Sequence, residues 1–341
     1  MKINTYDKSK TNYGISILKM ILSFFVIMVH CYNFNKKYYT CLIVKKSAFH
    51  VPTFMFISFY FYSKYLFSNN IEKIKLRFQR ILTPYIIYPF IFLFLNNFLI
   101  IIGKKGQYNR IISLNDLIYQ LIFGRIYHDI FWFQFNLIFL TLMLTILYYL
   151  FKKNHLFIFI IFSFISYFFQ YSGLNYNFFY IYKIHISISL GCVSEMMPIT
   201  CSGLIFGKFK MLSKTSKIKS KIILINFFFI CFLINYKIFI IPKGFFYPGI
   251  HLNIQSILLF FLFAAIPINN KKIIYFMKFI TSYTGGIYYL HIIIRNLLFK
   301  YIISIKTSTL FGCLVIYIIC FIICLIGNRI FNKTKLIYLF Y

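Results

Sequence analysis

Two basic residues in the first apolar segment are the clearest candidates for chemistry. Lys19 and His30 lie eleven residues apart in the run ISILKMILSFFVIMVHCYNF. At about 100° per residue this is close to three helical turns, so both side chains lie on one face, ~16 Å apart along the axis. Neutral imidazole is the usual general base near pH 7, so His30 is a candidate base. The alternative without chemistry is a lysine that extends to the membrane interface beside a hydrogen-bonded histidine.

A second basic pair follows the second apolar run. Arg77 and Arg80 lie three residues apart in SNNIEKIKLRFQRILTPY, so on a helix they would point the same way. Two guanidinium groups on one face can hold a phosphate through paired hydrogen bonds. The alternative is the ordinary excess of basic residues in cytoplasmic segments.

Three further polar residues fall inside apolar runs. Glu195 is predicted to be an acid buried in the membrane, where ionisable residues are costly and tend to be functional. It could orient His30, bind hydroxyl groups of a substrate or pair with a lysine such as Lys183. His291 and Arg295 are four residues apart and share one helix face.

The composition of the chain indicates that these residues lie in a membrane protein. The chain has 341 residues, is 61% hydrophobic and contains only 5 acidic residues, with a mean hydropathy of +0.78, whereas soluble proteins are usually ~45–50% apolar. In lipid the backbone must satisfy its own hydrogen bonds, so the spans must be helices. We therefore predict an all-α integral membrane protein with about ten transmembrane helices. The apolar runs fall near 15–33, 48–67, 81–102, 130–151, 155–171, 180–206, 222–241, 250–268, 279–299 and 308–327.

The distribution of charge predicts the orientation. If the N-terminus is inside, the inside segments hold 21 Lys and Arg and the outside segments hold 10. Basic residues concentrate in cytoplasmic loops, so both termini are predicted to be cytoplasmic. The net charge is +32, and the basic residues lie in short segments between apolar runs. This distribution favours anionic lipid headgroups as partners and not nucleic acid. The eight cysteines contain no CxxC, so no metal site or disulfide framework is predicted.

Five stretches together resemble the acyltransferase-3 family of multipass membrane acyltransferases. In order they are the Lys-x10-His pattern of the first run, HVPTFMFIS opening the second, RFQRILTPY opening the third, HDIFWFQFNLIF, and TSYTGGIYYLHIII. The resemblance extends from 15 to about 295, and the sequence predicts one membrane-embedded acyltransferase domain over 1–341 without an appended soluble domain. Lys19 is a departure, because the family often has arginine there.

The resemblance implies an O-acyltransferase of the cell membrane. Its donor would be cytoplasmic acyl-CoA, most commonly acetyl-CoA, and its acceptor a hydroxyl of an envelope polysaccharide or lipid-linked sugar, with no metal. The predicted site residues comprise a catalytic group (His30, Glu195 and His291), a donor-binding group (Lys19, Arg77 and Arg80) and a substrate-binding group (His50, Trp132 and Tyr288).

Two other classes of membrane protein share part of this pattern. A glycan transporter or flippase would have the same helix count and a buried acid such as Glu195, but it would be expected to show inverted repeats and broken helices in matching halves. A multipass glycosyltransferase generally needs acidic residues near a metal or glycosyl phosphate, and the first outer segment, 34–47, contains none.

Overall fold

The structure is a computed structural model that describes residues 12–31, 49–102, 111–124, 131–171, 185–210, 221, 223–230, 250–301 and 310–340. Its helices are α1 (Tyr13–Cys31), α2 (His50–Phe67), α3 (Ile71–Ile101), α4 (Leu114–Phe123), α5 (Phe131–Leu150), α6 (His155–Tyr171), α7 (His185–Lys208), α8 (Ile250–Ala264), α9 (Lys271–Thr281), α10 (Thr284–Tyr301) and α11 (Leu310–Phe331), followed by a 3₁₀ helix (Lys335–Leu339). Residues 223–230 are also helical.

The prediction of an all-helical fold is confirmed over the described residues. Within the described part of the chain, four helical segments are long and apolar enough to cross a membrane: Tyr13–His30, Ile71–Ile101, Phe131–Leu150 and Leu310–Phe331. Large apolar side chains of α3, α5 and α11 are exposed, such as Phe94, Ile146 and Ile318, as lipid-facing surfaces require. About ten spans, with both termini inside, stays a prediction.

Helix α1 lies between two hydrophobic clusters. Its first turns place Ile15, Leu18 and Leu22 in a cluster with α2, α5, α7 and α8. Near its end Ile27 belongs to a second cluster, built mainly by α3, α10 and α11. On one side α1 packs against α2 and α8, and on the other against α9, α10 and α11. A residue on α1 can therefore reach both halves of the bundle.

Helices α2 and α7 approach each other closely through two glycines four residues apart. A Cβ at Gly203 would lie 2.9 Å from the carbonyl oxygen of Phe56, and one at Gly207 would lie 2.0 Å from Ser63 Oγ. Small residues at this spacing let helix backbones meet in a membrane, where packing drives association. The contact holds α2, which carries His50, against the rest of the bundle.

Helix α3 begins ten residues before the predicted apolar run. The side chain of Asn70 accepts a hydrogen bond of 3.0 Å from Lys73 N, which caps the first turn. Hydropathy alone placed the start near 81, because the first turns are rich in charge. The cap places Arg77 and Arg80 on one continuous helix, ahead of the apolar run.

Candidate active site

His30 lies in the last turn of α1, and its ring contacts the ring of His291 on α10. The ring centroids are 5.1 Å apart with an interplanar angle of 45°. His291 is fully buried, and neither ring nitrogen makes a hydrogen bond within the described part of the chain. The carbonyls of Ile287 and Tyr288, one turn back, lie near the ring but outside hydrogen-bond geometry. The structure thus joins two separately predicted imidazoles and leaves His291 able to bind a further group.

Arg295 holds the backbone beneath His30. Its Nη1 donates a hydrogen bond to the main-chain carbonyl of His30. The last four carbonyls of a helix have no partner within that helix, so this contact also caps the end of α1. Arg295 follows His291 by four residues, and α10 therefore contacts both the ring and the backbone of His30. Sequence spacing placed Arg295 on the face of His291 but gave it no role.

His50 adds a third imidazole to the same end of the bundle. It is the first residue of α2 and is buried, 3% exposed. His30 and His50 lie close enough to interact electrostatically. The prediction that His50 begins the second helix is confirmed. Three histidines from α1, α2 and α10 thus lie near the end of α1.

A chain of aromatic rings links the histidines to α5. The ring of Tyr288 lies 6.0 Å from that of His291 and 5.3 Å from that of Phe133. Phe133 in turn lies 6.2 Å from the neighbouring Trp132. The structure therefore places Tyr288 beside the histidine pair, and Phe133 lies between Tyr288 and Trp132.

Lys19 lies on α1 below His30 and contacts α2. Its Nζ is 5.8 Å from the centre of the Phe61 ring. His50 and Phe61 are eleven residues apart on α2, the same spacing that separates His30 from Lys19 on α1. The two helices therefore run antiparallel, with the histidines at one level and Lys19 about 16 Å away along the axes.

Arg77 points into the bundle and joins three helices. Its Nη2 donates to Ser58 Oγ at 2.9 Å and to Thr141 Oγ1 at 3.3 Å, and its Nη1 donates to the carbonyl of Ser58 at 3.4 Å. The guanidinium carbon lies 4.5 Å from the ring centre of Tyr62 and 5.2 Å from that of Phe59. Because Arg77 contacts the segment of α2 that also contains Phe61, it lies at the level of Lys19.

Arg80 is exposed and contacts a different part of the chain. Its guanidinium carbon lies 5.8 Å from the ring centre of Tyr338 in the C-terminal 3₁₀ helix. The structure thus gives Arg77 and Arg80 different partners, although they are three residues apart. Arg77 is engaged by side chains of α2 and α5, while Arg80 faces outward.

Comparison with known proteins identifies the family of this bundle. A family model described as an acyltransferase domain, acyltransferase 3, matches residues 12–329, nearly the whole chain. The chain belongs to the acyltransferase-3 family. No curated protein and no solved structure matches it. Family membership makes the protein a membrane acyltransferase, and the histidine cluster lies within the matched range.

The acidic residue among the predicted site residues of this acyltransferase is buried, as the sequence predicted. Glu195 is 4% exposed on α7, in the cluster that α7 forms with α2, α5 and α6. Gln170 of α6 donates to the carbonyl of the preceding residue, Ser194, at 3.1 Å, which fixes the backbone there. Burial is confirmed, and a role of Glu195 toward His30 stays a prediction.

In this acyltransferase the predicted residues separate into two levels. His30, His50 and His291 gather at one end of α1, and Lys19 and Arg77 lie on the two sides of α2 about three helical turns away. The spacing of residues along individual helices predicted which residues belong to each of these two levels. It could not indicate that Arg295 reaches α1, because that contact joins residues 265 positions apart.

Proposed function

We propose that this membrane acyltransferase transfers an acyl group, acetyl in the first instance, from cytoplasmic acyl-CoA to a hydroxyl of an envelope polysaccharide or lipid-linked sugar at the cell membrane. The observation that carries the proposal is the contact between His30 and His291, with ring centroids 5.1 Å apart at the end of a helix long enough to span a membrane. A sugar hydroxyl needs a general base, and imidazole is the side chain suited to that task near neutral pH.

His30 would take the proton of the acceptor hydroxyl. The hydroxyl oxygen then attacks the thioester carbonyl, the carbon–sulfur bond breaks, and the CoA sulfur leaves with the proton held by the imidazole. His291 lies beside His30 and would bind the acceptor or orient the base. Arg295 would keep the end of α1 in place through the carbonyl of His30. Glu195 is a further candidate for orienting the base or the acceptor.

The acceptor would lie among the aromatic side chains near the histidines. Tyr288 is adjacent to His291 and combines an apolar ring with a hydroxyl group. Trp132 on α5 and His50 on α2 would add to this acceptor site. Flat aromatic faces and hydrogen-bonding groups suit a sugar, which has apolar C–H faces and polar hydroxyls.

The donor would extend from the basic level to the histidines. Arg80 is exposed and would contact a CoA phosphate directly, whereas Arg77 would have to release Ser58 and Thr141 to do the same. Lys19 would guide the phosphates or the pantetheine arm into the bundle. The rise of ~16 Å between Lys19 and His30 is comparable to an extended pantetheine arm.

The test uses full-length protein in lipid nanodiscs with acetyl-CoA and an envelope glycan acceptor. We expect His30→Ala to lose ~10²–10⁴-fold in acyl transfer, the usual scale for a general base. The matched control is His155→Ala, because His155 begins α6 and pairs with Lys208. Mass spectrometry of the acceptor, normalised to folded protein, gives the rate.

Two results would contradict the proposal. If His30→Ala transfers acyl groups at the rate of the control, His30 is not the general base. That result would leave the membrane fold unaffected. Movement of glycan across sealed vesicles without acyl transfer by the unmodified protein would favour the flippase alternative.

A further inference from the structure

The chain beyond α11 folds back onto the bundle. After Phe331 it turns and forms the 3₁₀ helix Lys335–Leu339, which packs against α3, α10 and α11. We call residues 334–340 the C-terminal segment. It lies past residue 329, where the family match ends, so the family gives it no role.

Phe340 anchors this segment in a notch made by two glycines. A Cβ at Gly327 of α11 would lie 2.4 Å from the Phe340 ring, and one at Gly286 of α10 would lie 2.9 Å from its Cα. The Phe340 ring also stacks on that of Phe331, with centroids 5.7 Å apart and an interplanar angle of 8°. Because a Cβ at these glycines would overlap the segment, the notch and Phe340 fit each other.

A buried tyrosine of α3 fixes the backbone next to this anchor. Tyr88, 1% exposed, donates its hydroxyl hydrogen to the carbonyl of Leu339 at 2.7 Å. Leu339 is itself buried. Residues 339 and 340 are thus held by α3, α10 and α11 together, which determines where the residue before them lies.

The result is an aromatic ring beside an exposed cation. Tyr338 is half-buried, and its ring centre lies 5.8 Å from the guanidinium carbon of Arg80. Three exposed cations precede Tyr338 in the sequence: Arg329 in the last turn of α11, then Lys333 and Lys335. A planar aromatic surface with several cations is the chemistry that binds a nucleotide, because rings stack on bases and cations bind phosphates.

We propose that the C-terminal segment forms the nucleotide end of the donor site. Tyr338 stacks on the adenine of acyl-CoA, and Arg80 with Lys335 binds its phosphates. This inference rests on the proposed use of acyl-CoA and adds to it a base-recognising residue that the family pattern does not contain. Anchoring by Phe340 and Tyr88 gives the ring a defined position before the donor arrives.

The experiment compares two donors on the full-length protein in nanodiscs. Acetyl-CoA carries the nucleotide, and S-acetyl-pantetheine lacks it. Tyr338→Ala should raise the KM for acetyl-CoA about 5- to 150-fold, the range for loss of one base–aromatic stack, with kcat retained. The KM for S-acetyl-pantetheine should not rise, and Tyr338→Trp should restore the KM for acetyl-CoA. Tyr275→Ala is the control, because Tyr275 is an exposed tyrosine of α9.

Direct binding separates this inference from the proposed function. Calorimetry with adenosine 3′,5′-bisphosphate should show binding to the unmodified protein and at least fivefold weaker binding to Tyr338→Ala. If the unmodified protein binds the nucleotide but transfers no acyl group, the proposed function fails and the nucleotide site stands. If it transfers acetyl groups and Tyr338→Ala has an unchanged KM, the nucleotide site fails and the function stands. A lower KM in Tyr338→Ala would show that the ring blocks Arg80 and would also overturn the inference.

Discussion

Replacing Arg77 separates two roles that its position allows, packing of the bundle and binding of a donor phosphate. The side chain makes one hydrogen bond of 2.9 Å to Ser58 Oγ, two longer ones, and contacts with the rings of Tyr62 and Phe59. A hydrogen bond from a charged group contributes ~1.5–3 kcal/mol, and each cation–ring contact ~0.5–2 kcal/mol. Removing the charge also removes its desolvation cost of several kcal/mol. We therefore expect Arg77→Met to lose a net ~1–3 kcal/mol of stability.

Arg77→Lys makes the prediction sharper. Lysine keeps the charge but loses the planar fork that reaches Ser58 and Thr141 together. A cation with fewer partners then stays inside the bundle, so Arg77→Lys should be at least as unstable as Arg77→Met. The matched control is Arg80→Met, which should change stability by less than ~0.5 kcal/mol because Arg80 is exposed.

Thermal unfolding of detergent-purified variants, followed by size-exclusion chromatography, gives the order of stability. The packing role predicts that wild type and Arg80→Met unfold at a higher temperature than Arg77→Met. It predicts the lowest unfolding temperature for Arg77→Lys. The phosphate role predicts equal unfolding temperatures and a weaker acyl-CoA affinity, most of it regained in Arg77→Lys. Unfolding temperatures equal to wild type in both Arg77 variants would refute the packing argument.

Three further predictions concern other parts of the bundle. Lys19→Ala should weaken acyl-CoA use less than His30→Ala reduces transfer, and Lys19→Arg should be tolerated; an inactive Lys19→Arg, measured as KM and kcat, would contradict a purely electrostatic role. Gly207→Ala should lose ~1–3 kcal/mol by thermal unfolding, since its Cβ would lie 2.0 Å from Ser63 Oγ; an unchanged unfolding temperature would show that α2 and α7 are farther apart. A reporter inserted within 208–221 should report the cytoplasm, and a signal from the other side would reverse the orientation.

Composition and apolar runs predicted the helices because lipid leaves the backbone few alternatives. Each of the ten predicted runs overlaps a described helical stretch, although one of these covers only residues 223–230, and α4 lies outside all ten runs. The start of α3 was missed because its first turns contain charged residues, and the capping side chain of Asn70 sets the boundary there.

The spacing of residues along the sequence could not predict contacts between helices that are far apart in the chain. Family resemblance indicated both His30 and His291, but their contact depends on which faces of α1 and α10 meet. The position of Tyr338 beside Arg80 depends on a notch to which two helices each contribute one glycine. No local pattern in the last residues of the chain indicates such a notch.

The contact between Arg295 and the carbonyl of His30 has a consequence for biogenesis. The two residues are 265 positions apart, and α1 is made long before α10. At a synthesis rate of ~5–20 residues per second, His30 leaves the ribosome roughly 10–50 seconds before Arg295 does. During that interval the end of α1 lacks the guanidinium that caps it. The candidate base thus reaches its final position only when the late helices insert, so a nascent chain stalled before α10 would not yet have a complete active site.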